Sequence, residues 1–444
     1  MKFEHQGLTA KVVKAMGMFG GLQVVTILCG MVRNKCTALW IGPEGEGLFG
    51  LLNAAFLFLA TASQLNLRNS AVAFLGGNPE GRMVSVVRTW GWLLGLAGLI
   101  LAMVLSPLMS YLSSGELTDT WQFALLGAAL LFASPTAAEQ SVMQSSDRLR
   151  PLAKSSLEGA LSGLAVSLTL LYFLRLDGVG PTIVVYALAG YLCVVWRRNP
   201  RSPRISVREA VTEGSPMLRL GLYLTVATAV TEGLNFLVVS WVQMWGGTAE
   251  VGVFQAGFTI ASRYFGMVFA ALAVEYYPRL VKVAHSPRRT QAFVNHELKL
   301  VSLVLIPLVI LTVPLANFAI RVLYSSDFLG AAPYIVIALP GIMLRAFSWT
   351  LALVIVARGD GLTFLLTEVA SSVVMTILSI GLYGELGIPG LAAAFSLDYL
   401  AYSAMIWAVC RKKYHLHMNA QVMGVWCFGF VCSLVLLVFV GKVG

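Results

Sequence analysis

The sequence predicts an all-α, polytopic membrane protein, and three observations lead to this fold class. Only 12% of the 444 residues are charged, compared with about 25% in a typical soluble domain. Hydrophobic residues make up 58% of the chain, and the mean hydropathy is +0.79. Apolar stretches of about 20 residues, long enough to cross a hydrocarbon core of about 30 Å, recur from one end to the other.

Charge clusters and Gly/Pro turns divide the chain into thirteen candidate membrane spans. The spans are predicted at residues 12–38, 47–75, 84–112, 120–145, 155–175, 179–196, 216–244, 250–277, 298–324, 332–357, 362–384, 388–410 and 421–441.

The distribution of positive charge predicts the topology. The formal net charge is +10, which in a soluble chain would suggest nucleic acid as a partner. With a cytoplasmic amino terminus, most of the Lys and Arg residues fall in inner-side segments, as the positive-inside rule requires. We therefore expect no nucleic-acid partner, a cytoplasmic amino terminus and, after thirteen spans, a periplasmic carboxyl terminus.

An internal repeat predicts two similar halves. The pattern Trp-x-Gly followed by Gly-x-Phe at residues 40–49 recurs at residues 245–254, an offset of 205. With six spans in each half, the repeats keep the same orientation and are related by a pseudo-two-fold axis along the membrane normal. The predicted division is an N-lobe at 1–197, a basic cytoplasmic linker at 198–215, a C-lobe at 216–412 and one extra C-terminal helix at 421–441.

The sequence motifs do not indicate a catalytic site, a nucleotide-binding site or a metal site. The spacing Gly45-x-Gly47-x-x-Gly50 matches a dinucleotide fingerprint, but no strand precedes it, so a tight turn between helices explains it better. The six cysteines lack a CxxC pair, and the five histidines show no zinc spacing or catalytic triad. We predict no catalytic residue, no metal site and no disulfide framework.

Polar side chains recur at helical spacing in spans one, two, seven and eight, the first two helices of each half. Polar groups at membrane depth usually face a bundle interior or an aqueous cavity, because hydrocarbon does not solvate them. The predicted polar cavity lining consists of Gln23, Thr26, Gln64, Thr228, Asn235, Gln255 and Thr259.

Three arginines are the predicted binding residues for an anionic group. Arg33, Arg68 and Arg263 lie in spans one, two and eight, which carry polar stripes, and a guanidinium can bind a phosphate or diphosphate through two parallel hydrogen bonds. The alternatives are snorkelling to the lipid headgroups for Arg33 and Arg68, and an ion pair with Glu232 for Arg263.

Intramembrane carboxylates are candidates for ion coupling. Glu232, Glu368 and Asp398 could carry H⁺ or bind Na⁺, since desolvation favours the protonated form of a carboxylate. The alternative is a structural role in joining helices. Arg345, in the middle of span ten, could pair with Glu368 or Asp398.

At several segments the chain resembles the multidrug/oligosaccharidyl-lipid/polysaccharide (MOP) exporter superfamily, in particular its O-antigen and polysaccharide flippase branch. These segments are residues 40–49 (WIGPEGEGLF), 250–255 (EVGVFQ), 276–280 (YYPRL), 357–360 (ARGD) and 367–369 (TEV).

The resemblance implies two lobes that alternate between inward- and outward-open states and turn over an undecaprenyl-diphosphate-linked oligosaccharide in a bacterial inner membrane. In the related peptidoglycan-precursor flippases, arginines on the first, second and eighth helices line a cationic cavity, and Arg33, Arg68 and Arg263 occupy matching helices. The single span at 421–441 departs from the family, which usually has none or two after the twelfth.

The sequence therefore predicts a flippase without covalent chemistry or cofactor, driven by a membrane potential or by an H⁺ or Na⁺ gradient. Its expected partners are the lipid-linked oligosaccharide, membrane lipids, and the polymerase and chain-length proteins of the same pathway. The alternatives are a MATE-type multidrug or cation antiporter of the same fold, a membrane polysaccharide polymerase or ligase, and a helical scaffold without transport.

Overall fold

The computed structural model describes residues 24–76, 81–198, 203 and 205–443, and the described residues form helices joined by short turns. Residues 24–40 are the described part of helix α1. The other helices are α2 (Pro43–Gln64), α3 (Leu67–Leu75), α4 (Gly81–Ser114), α5 (Thr120–Ser145), α6 (Leu149–Leu174), α7 (Val179–Arg197), α8 (Val207–Phe258), α9 (Phe265–Val283), α10 (Pro287–Leu323), α11 (Ala332–Ala357), α12 (Gly361–Leu386), α13 (Ile388–Tyr414) and α14 (Ala420–Val443).

The described helices confirm the predicted all-α, polytopic fold class. Within the described residues, ten continuous segments are long and apolar enough to cross a membrane. One of these, Leu149–Arg197 with 49 residues, contains two predicted spans, and another, Thr228–Ala273 with 46 residues, overlaps two. The predicted spans from the second to the thirteenth therefore lie in helical segments, the second across α2 and α3 and the eighth across the end of α8 and α9. The beginning of the first span lies outside the described residues.

A glycine separates the two spans within α8. Gly247 has φ 81° and ψ 174°, which interrupts the helix. Gly42, the residue 205 positions earlier, has nearly the same conformation, with φ 85° and ψ −161°. This region of backbone space is open essentially to glycine alone, because a Cβ would clash with the backbone. The two copies of the repeat motif thus form the same turn, which supports the internal repeat.

The segment predicted as a linker, 198–215, is partly helical, because α8 begins at Val207, nine residues before the predicted span. Two contacts fix this first part of α8 against α4. Arg82 Nη2 lies 2.6 Å from Glu213 Oε1, and the indole of Trp90 donates to the carbonyl of Ala210 at 2.9 Å. These partners lie far apart in sequence, so local hydropathy could not reveal the extra helical turns.

Contacts divide the chain into two compact units, the first ending at Ala249 and the second beginning at Glu250. The part of α8 that precedes Gly247 is therefore grouped with the first unit, whereas the sequence places its lobe boundary before residue 216. The predicted lobes at 1–197 and 216–412 stay a prediction.

Glycines allow α4 and α5 of the first unit to approach closely. A Cβ on Gly91 would lie 2.7 Å from the Cβ of Ala138, and a Cβ on Gly95 would lie 3.0 Å from the carbonyl of Leu131. From the opposite side, a Cβ on Gly127 would lie 3.0 Å from a backbone oxygen of α4. Small residues at such contacts allow the backbones to pack by dispersion forces, which is a main source of helix association in lipid.

The second unit has a core built around α11, whose neighbours are α9, α10, α13 and α14. The hydroxyl of Tyr276 on α9 donates to the carbonyl of Thr350 at 2.9 Å. The additional helix α14 is anchored to the same core, because the indole of Trp426 donates to the carbonyl of Met343 at 2.8 Å. The predicted extra span at 421–441 is thus a helix packed on α10 and α11.

The segment 357–360, which contributes to the family resemblance, connects α11 and α12 to the end of α13. Asp360 accepts hydrogen bonds from the Lys413 ammonium and the Tyr414 hydroxyl, both at 2.5 Å. These bonds hold the pKa of Asp360 well below its usual range. The Arg358 guanidinium lies 4.5 Å from the Tyr414 ring centroid. The motif therefore has a structural role at this helix junction.

We expect Gly127→Ala to destabilise the protein by about 1–3 kcal/mol, because the added methyl group meets the backbone of α4. Thermal unfolding of the purified protein in detergent measures the effect. Gly384→Ala is the matched control, since an added Cβ on this exposed glycine of α12 meets no atom within 4 Å. Equal unfolding temperatures for the two variants would contradict the glycine-dependent packing of α4 on α5.

Candidate functional site

The first unit contains a cavity of about 570 Å³, within the range of about 300–1,000 Å³ that is typical of small-ligand sites. Its walls are formed by α1, the α2–α3 pair, α5, α6 and α7. The lining residues are Thr26, Arg33, Phe49, Asn53, Phe56, Gln64, Arg68, Ala133, Thr136, Ala137, Gln140, Ser155, Ser156, Gly159, Ala160, Ser167, Thr182, Ile183, Tyr186, Ala187, Gly190 and Val194.

Arg33 lines this cavity from α1, and the surrounding residues hold its side chain in place. Its Nη2 donates to Asn34 Oδ1 at 2.9 Å, and its Cζ lies 3.8 Å from the ring centroid of Phe49 on α2. A guanidinium stacked on an aromatic ring keeps its charge and loses conformational freedom before a ligand arrives. Arg33 is therefore a preorganised cationic group, as the cavity prediction requires.

Arg68 lines the same cavity from α3. The helix is interrupted between α2 and α3, where Leu65 and Asn66 have positive φ values of 47° and 49°. The hydroxyl of Ser141 on α5 donates to the carbonyl of Arg68 at 3.1 Å and fixes the backbone. Within the described part of the chain, the Arg68 guanidinium has no ion pair and no hydrogen bond. Its five N–H donors are thus available to an anion.

Four neutral polar side chains in the cavity wall also have unused hydrogen-bonding groups. Asn53, Gln64, Gln140 and Ser156 are half-buried, and their side chains make no hydrogen bond to any described residue. A buried polar group without a partner costs about 1–3 kcal/mol. Their convergence on one space indicates a site for a ligand that presents several donors and acceptors.

The described lining carries positive charge only, because it contains two arginines and no Asp or Glu. The nearby carboxylate of Glu139 on α5 is already neutralised, since Arg88 Nε lies 2.7 Å from its Oε1. Glu139 is thus a structural partner for Arg88. The remaining field in the cavity favours an anionic ligand and disfavours an organic cation.

The structure places the other predicted lining residues as follows. Thr26 and Gln64 line the cavity with Arg33 and Arg68, so sequence spacing brings four predicted residues to one site. Gln23 lies outside the described residues. The remaining four predicted residues are not part of this lining. Thr228 and Asn235 are exposed on α8, Gln255 is half-buried near the end of that helix, and Thr259 is buried.

Arg263 belongs to the second unit and lies in a π-helical segment, Thr259–Tyr264, between α8 and α9. Its side chain is exposed, and its guanidinium has no hydrogen bond or ion pair among the described residues. A π-helical segment places one extra residue in a helix and often marks a functional position. The predicted role of Arg263 as a cavity residue stays a prediction.

Arg345 on α11 has a structural role in the second unit, although neither Glu368 nor Asp398 is its partner there. Its Nη1 donates to the carbonyl of Ser262 in the π-helical segment at 2.9 Å. Its Cζ also lies 5.2 Å from the ring centroid of Phe269. The arginine thus stabilises the irregular backbone beside Arg263.

The predicted ion-coupling carboxylates have different environments. Asp398 on α13 is buried and accepts hydrogen bonds from the Ser371 hydroxyl at 3.0 and 3.1 Å. Glu368 on α12 accepts a hydrogen bond from the Tyr402 hydroxyl. Glu232 on α8 is half-buried. No group of three potential metal ligands occurs among the described residues.

The fold and the cavity together define a multi-pass membrane protein with a positively charged internal site. The chain belongs to the polysaccharide biosynthesis protein family, since the model of this family matches residues 78–333, more than half of the sequence. A comparison with curated protein sequences finds no match.

Several solved structures share the fold. The lipid II flippase MurJ in an inward closed conformation aligns with a TM-score of 0.74 at 14% identity, covering 96% of this chain and 92% of that one. An inward-facing multidrug resistance MATE transporter of the MOP superfamily aligns with a TM-score of 0.66 at 13% identity, covering 88% and 94%.

A MOP superfamily transporter from Pyrococcus furiosus, described as having a binding pocket of reverse polarity that suggests a different function, aligns with a TM-score of 0.58. The identity is 13%, and the alignment covers 90% of this chain and 96% of that one. The chain therefore has the fold of MOP transporters.

We expect the cavity to be hydrated, and cysteine labelling tests this. In a variant without the six native cysteines, Ser156→Cys should react with a charged methanethiosulfonate at least about tenfold faster than Leu161→Cys, because the reactive thiolate forms in water. Leu161 is an exposed apolar residue on the same helix. Equal reaction rates would mean that the space beside Ser156 is closed to solvent.

Proposed function

We propose that this protein is a flippase that moves an undecaprenyl-diphosphate-linked oligosaccharide, such as an O-antigen or other surface polysaccharide unit, across the bacterial inner membrane. The observation that carries the proposal is the cavity of the first unit, where two guanidinium groups accompany neutral amides and hydroxyls, with no carboxylate in the described lining. Membership of the polysaccharide biosynthesis protein family supports the same substrate class.

The two polar parts of such a substrate, its diphosphate and its sugars, match the two kinds of lining residue. A diphosphate is a dense acceptor group that a guanidinium binds through paired, charge-assisted hydrogen bonds. Sugars present neutral hydroxyl and amide groups, which pair with side chains such as Asn53, Gln64 and Gln140. The polyprenyl chain needs no polar site, because it can stay in the lipid.

Transport by alternating access, without covalent chemistry, fits the fold shared with MurJ and MATE transporters. In this proposal the positive-inside rule orients the chain with a cytoplasmic amino terminus and a periplasmic carboxyl terminus. Polymerase and chain-length proteins of the same pathway would then take over the oligosaccharide in the periplasm.

The competing function is a multidrug antiporter of the same fold. An exporter of organic cations is expected to line its cavity with acidic groups, whereas the described lining here carries two arginines and no acid. The polarity of the cavity therefore favours the flippase.

Arg68→Ala should abolish or strongly reduce surface polysaccharide in the native host deleted for this gene. Hydrogen bonds to charged groups contribute about 1.5–3 kcal/mol, so losing this guanidinium should weaken diphosphate binding by about tenfold or more. Arg68→Lys should recover part of the function, because it keeps the charge and loses the bidentate geometry. Long-chain surface polysaccharide is measured on gels after the membrane level of each variant has been confirmed.

Arg411→Ala is the matched control, since Arg411 is an exposed arginine at the end of α13 and does not line the cavity. It should complement as well as the wild type. If the deletion leaves surface polysaccharide intact and instead raises sensitivity to cationic drugs, the flippase is the wrong function and the antiporter replaces it.

We also propose that an H⁺ or Na⁺ gradient drives transport through Glu232, Glu368 or Asp398. In proteoliposomes, Asp398→Asn should abolish stimulation by the coupling gradient and leave substrate affinity within about twofold of the wild-type value, because the residue does not line the described cavity. Glu385→Gln, on an exposed carboxylate of α12, is the control. Full stimulation in Asp398→Asn, Glu368→Gln and Glu232→Gln alike would exclude all three carriers.

A further inference from the structure

At one end of the helix bundle, the described cavity of the first unit is lined by polar side chains that have no hydrogen-bond partner among the described residues. This end, here called the basic end, is where α6 begins and α7 finishes. Arg148 Nη2 donates to the carbonyl of Arg197 at 3.1 Å, and Arg197 also pairs with Glu158 on α6. Because the chain turns there from α5 into α6, the last turns of α5 and α7 and the first turns of α6 lie together.

Three cavity residues lie close to the basic end. Gln140 precedes the end of α5 by five residues, Ser156 follows the start of α6 by seven, and Gly190 precedes the end of α7 by seven. At 1.5 Å per residue, each lies within about 10 Å of that end. The backbone of Arg68 lies beside these residues, because its carbonyl accepts a hydrogen bond from the hydroxyl of Ser141, the residue after Gln140.

Helix packing does not explain why residue 190 is a glycine. A Cβ built on Gly190 meets no atom within 4 Å, whereas a Cβ on Gly159 would lie 3.0 Å from the Gly190 Cα. Gly159 is thus required for the close approach of α6 and α7. Gly190 has an ordinary helical φ and faces open cavity, although glycine inside a helix costs about 1 kcal/mol relative to alanine.

The absent side chain leaves room for a ligand, and the residues around that room define its chemistry. Gln140 and Ser156 have no hydrogen-bond partner among the described residues, and neither does Gln64. An amide offers both donors and an acceptor, and a hydroxyl offers one donor and two lone pairs. This set matches a neutral, hydroxyl-rich ring, while the unpaired guanidinium of Arg68 beside it matches a phosphate.

We propose that the basic end of this cavity is a sugar subsite, in which Gln140 and Ser156 bind the sugar nearest the diphosphate and Gly190 sets the size of the sugar that fits. The subsite rests on the proposed flippase function and adds the place where the sugar is recognised. Arg68 holds the adjacent phosphate in the same arrangement. A substrate without a sugar keeps its contacts with the guanidinium groups and makes none with Gln140 or Ser156.

Three synthetic lipids test the subsite: bare undecaprenyl diphosphate, and the same lipid carrying one N-acetylglucosamine or one galactose. The dissociation constant of each is measured for the purified full-length protein in nanodiscs. The wild type should bind at least one sugar-bearing lipid about tenfold more tightly than the bare lipid. Gly190→Leu should remove this preference and leave the affinity for the bare lipid within about twofold of the wild-type value.

Gly384→Leu is the matched control, because it adds the same side chain to an exposed glycine of α12 with open space around it. Gln140→Ala provides a second variant that adds no volume, and it should weaken binding of the preferred sugar-bearing lipid without affecting the bare lipid.

The outcomes separate the two proposals. A Gly190→Leu protein that keeps the wild-type preference, or a wild type that binds all three lipids equally, overturns the sugar subsite and leaves the flippase standing. A wild type that binds none of the diphosphate lipids overturns the flippase and the subsite together.

Discussion

Hydrocarbon offers no hydrogen-bond partner, so every polar group at membrane depth must find one inside the protein or face water or a ligand. This constraint sorts the intramembrane polar residues of the chain into two groups. Glu139 with Arg88 and Arg345 with the Ser262 carbonyl are satisfied by the protein. Five lining residues have no such partner among the described residues, and they face one cavity: Asn53, Gln64, Arg68, Gln140 and Ser156. Unpaired polar groups that face one cavity are thus the clearest candidates for contacts with a ligand.

Helix packing creates the space in which these unpaired groups can face one another. Glycines at the contact between α4 and α5 draw those two helices together, and Gly159 does the same for α6 and α7. Such contacts leave little freedom for sliding, because backbone atoms meet backbone atoms. Close backbone contacts therefore hold α5 against α4 and α6 against α7, and α5, α6 and α7 carry cavity residues such as Gln140, Ser156 and Gly190.

The spans and four cavity residues could be predicted from sequence because both depend on local periodicity. Hydropathy identifies α4 or α11 without knowledge of its neighbours, and the spacing of Thr26 and Arg33 places both on one face. Ser156, Gly159, Ala160 and Gly190 were missed for a physical reason. Small residues at helical spacing in a span indicate close helix packing, and sequence alone does not distinguish a glycine that meets a backbone from one that faces a cavity. The helical turns at the start of α8 were missed because their partners lie on α4.

The internal repeat allows side chains at equivalent positions of the two halves to be compared. Gly42 and Gly247 form the same turn, so residues that follow them at an offset of 205 have related places in the two halves of the repeat. At that offset Asn53 corresponds to Phe258, whose ring contacts Phe254 on the same helix. A polar cavity position of the first half is thus aromatic in the second. The repeated turn preserves the backbone, while this difference changes the chemistry of the equivalent position. Recognition of a hydroxyl-rich ligand is therefore expected to depend on α2, α5, α6 and α7 rather than on the equivalent helices of the second unit.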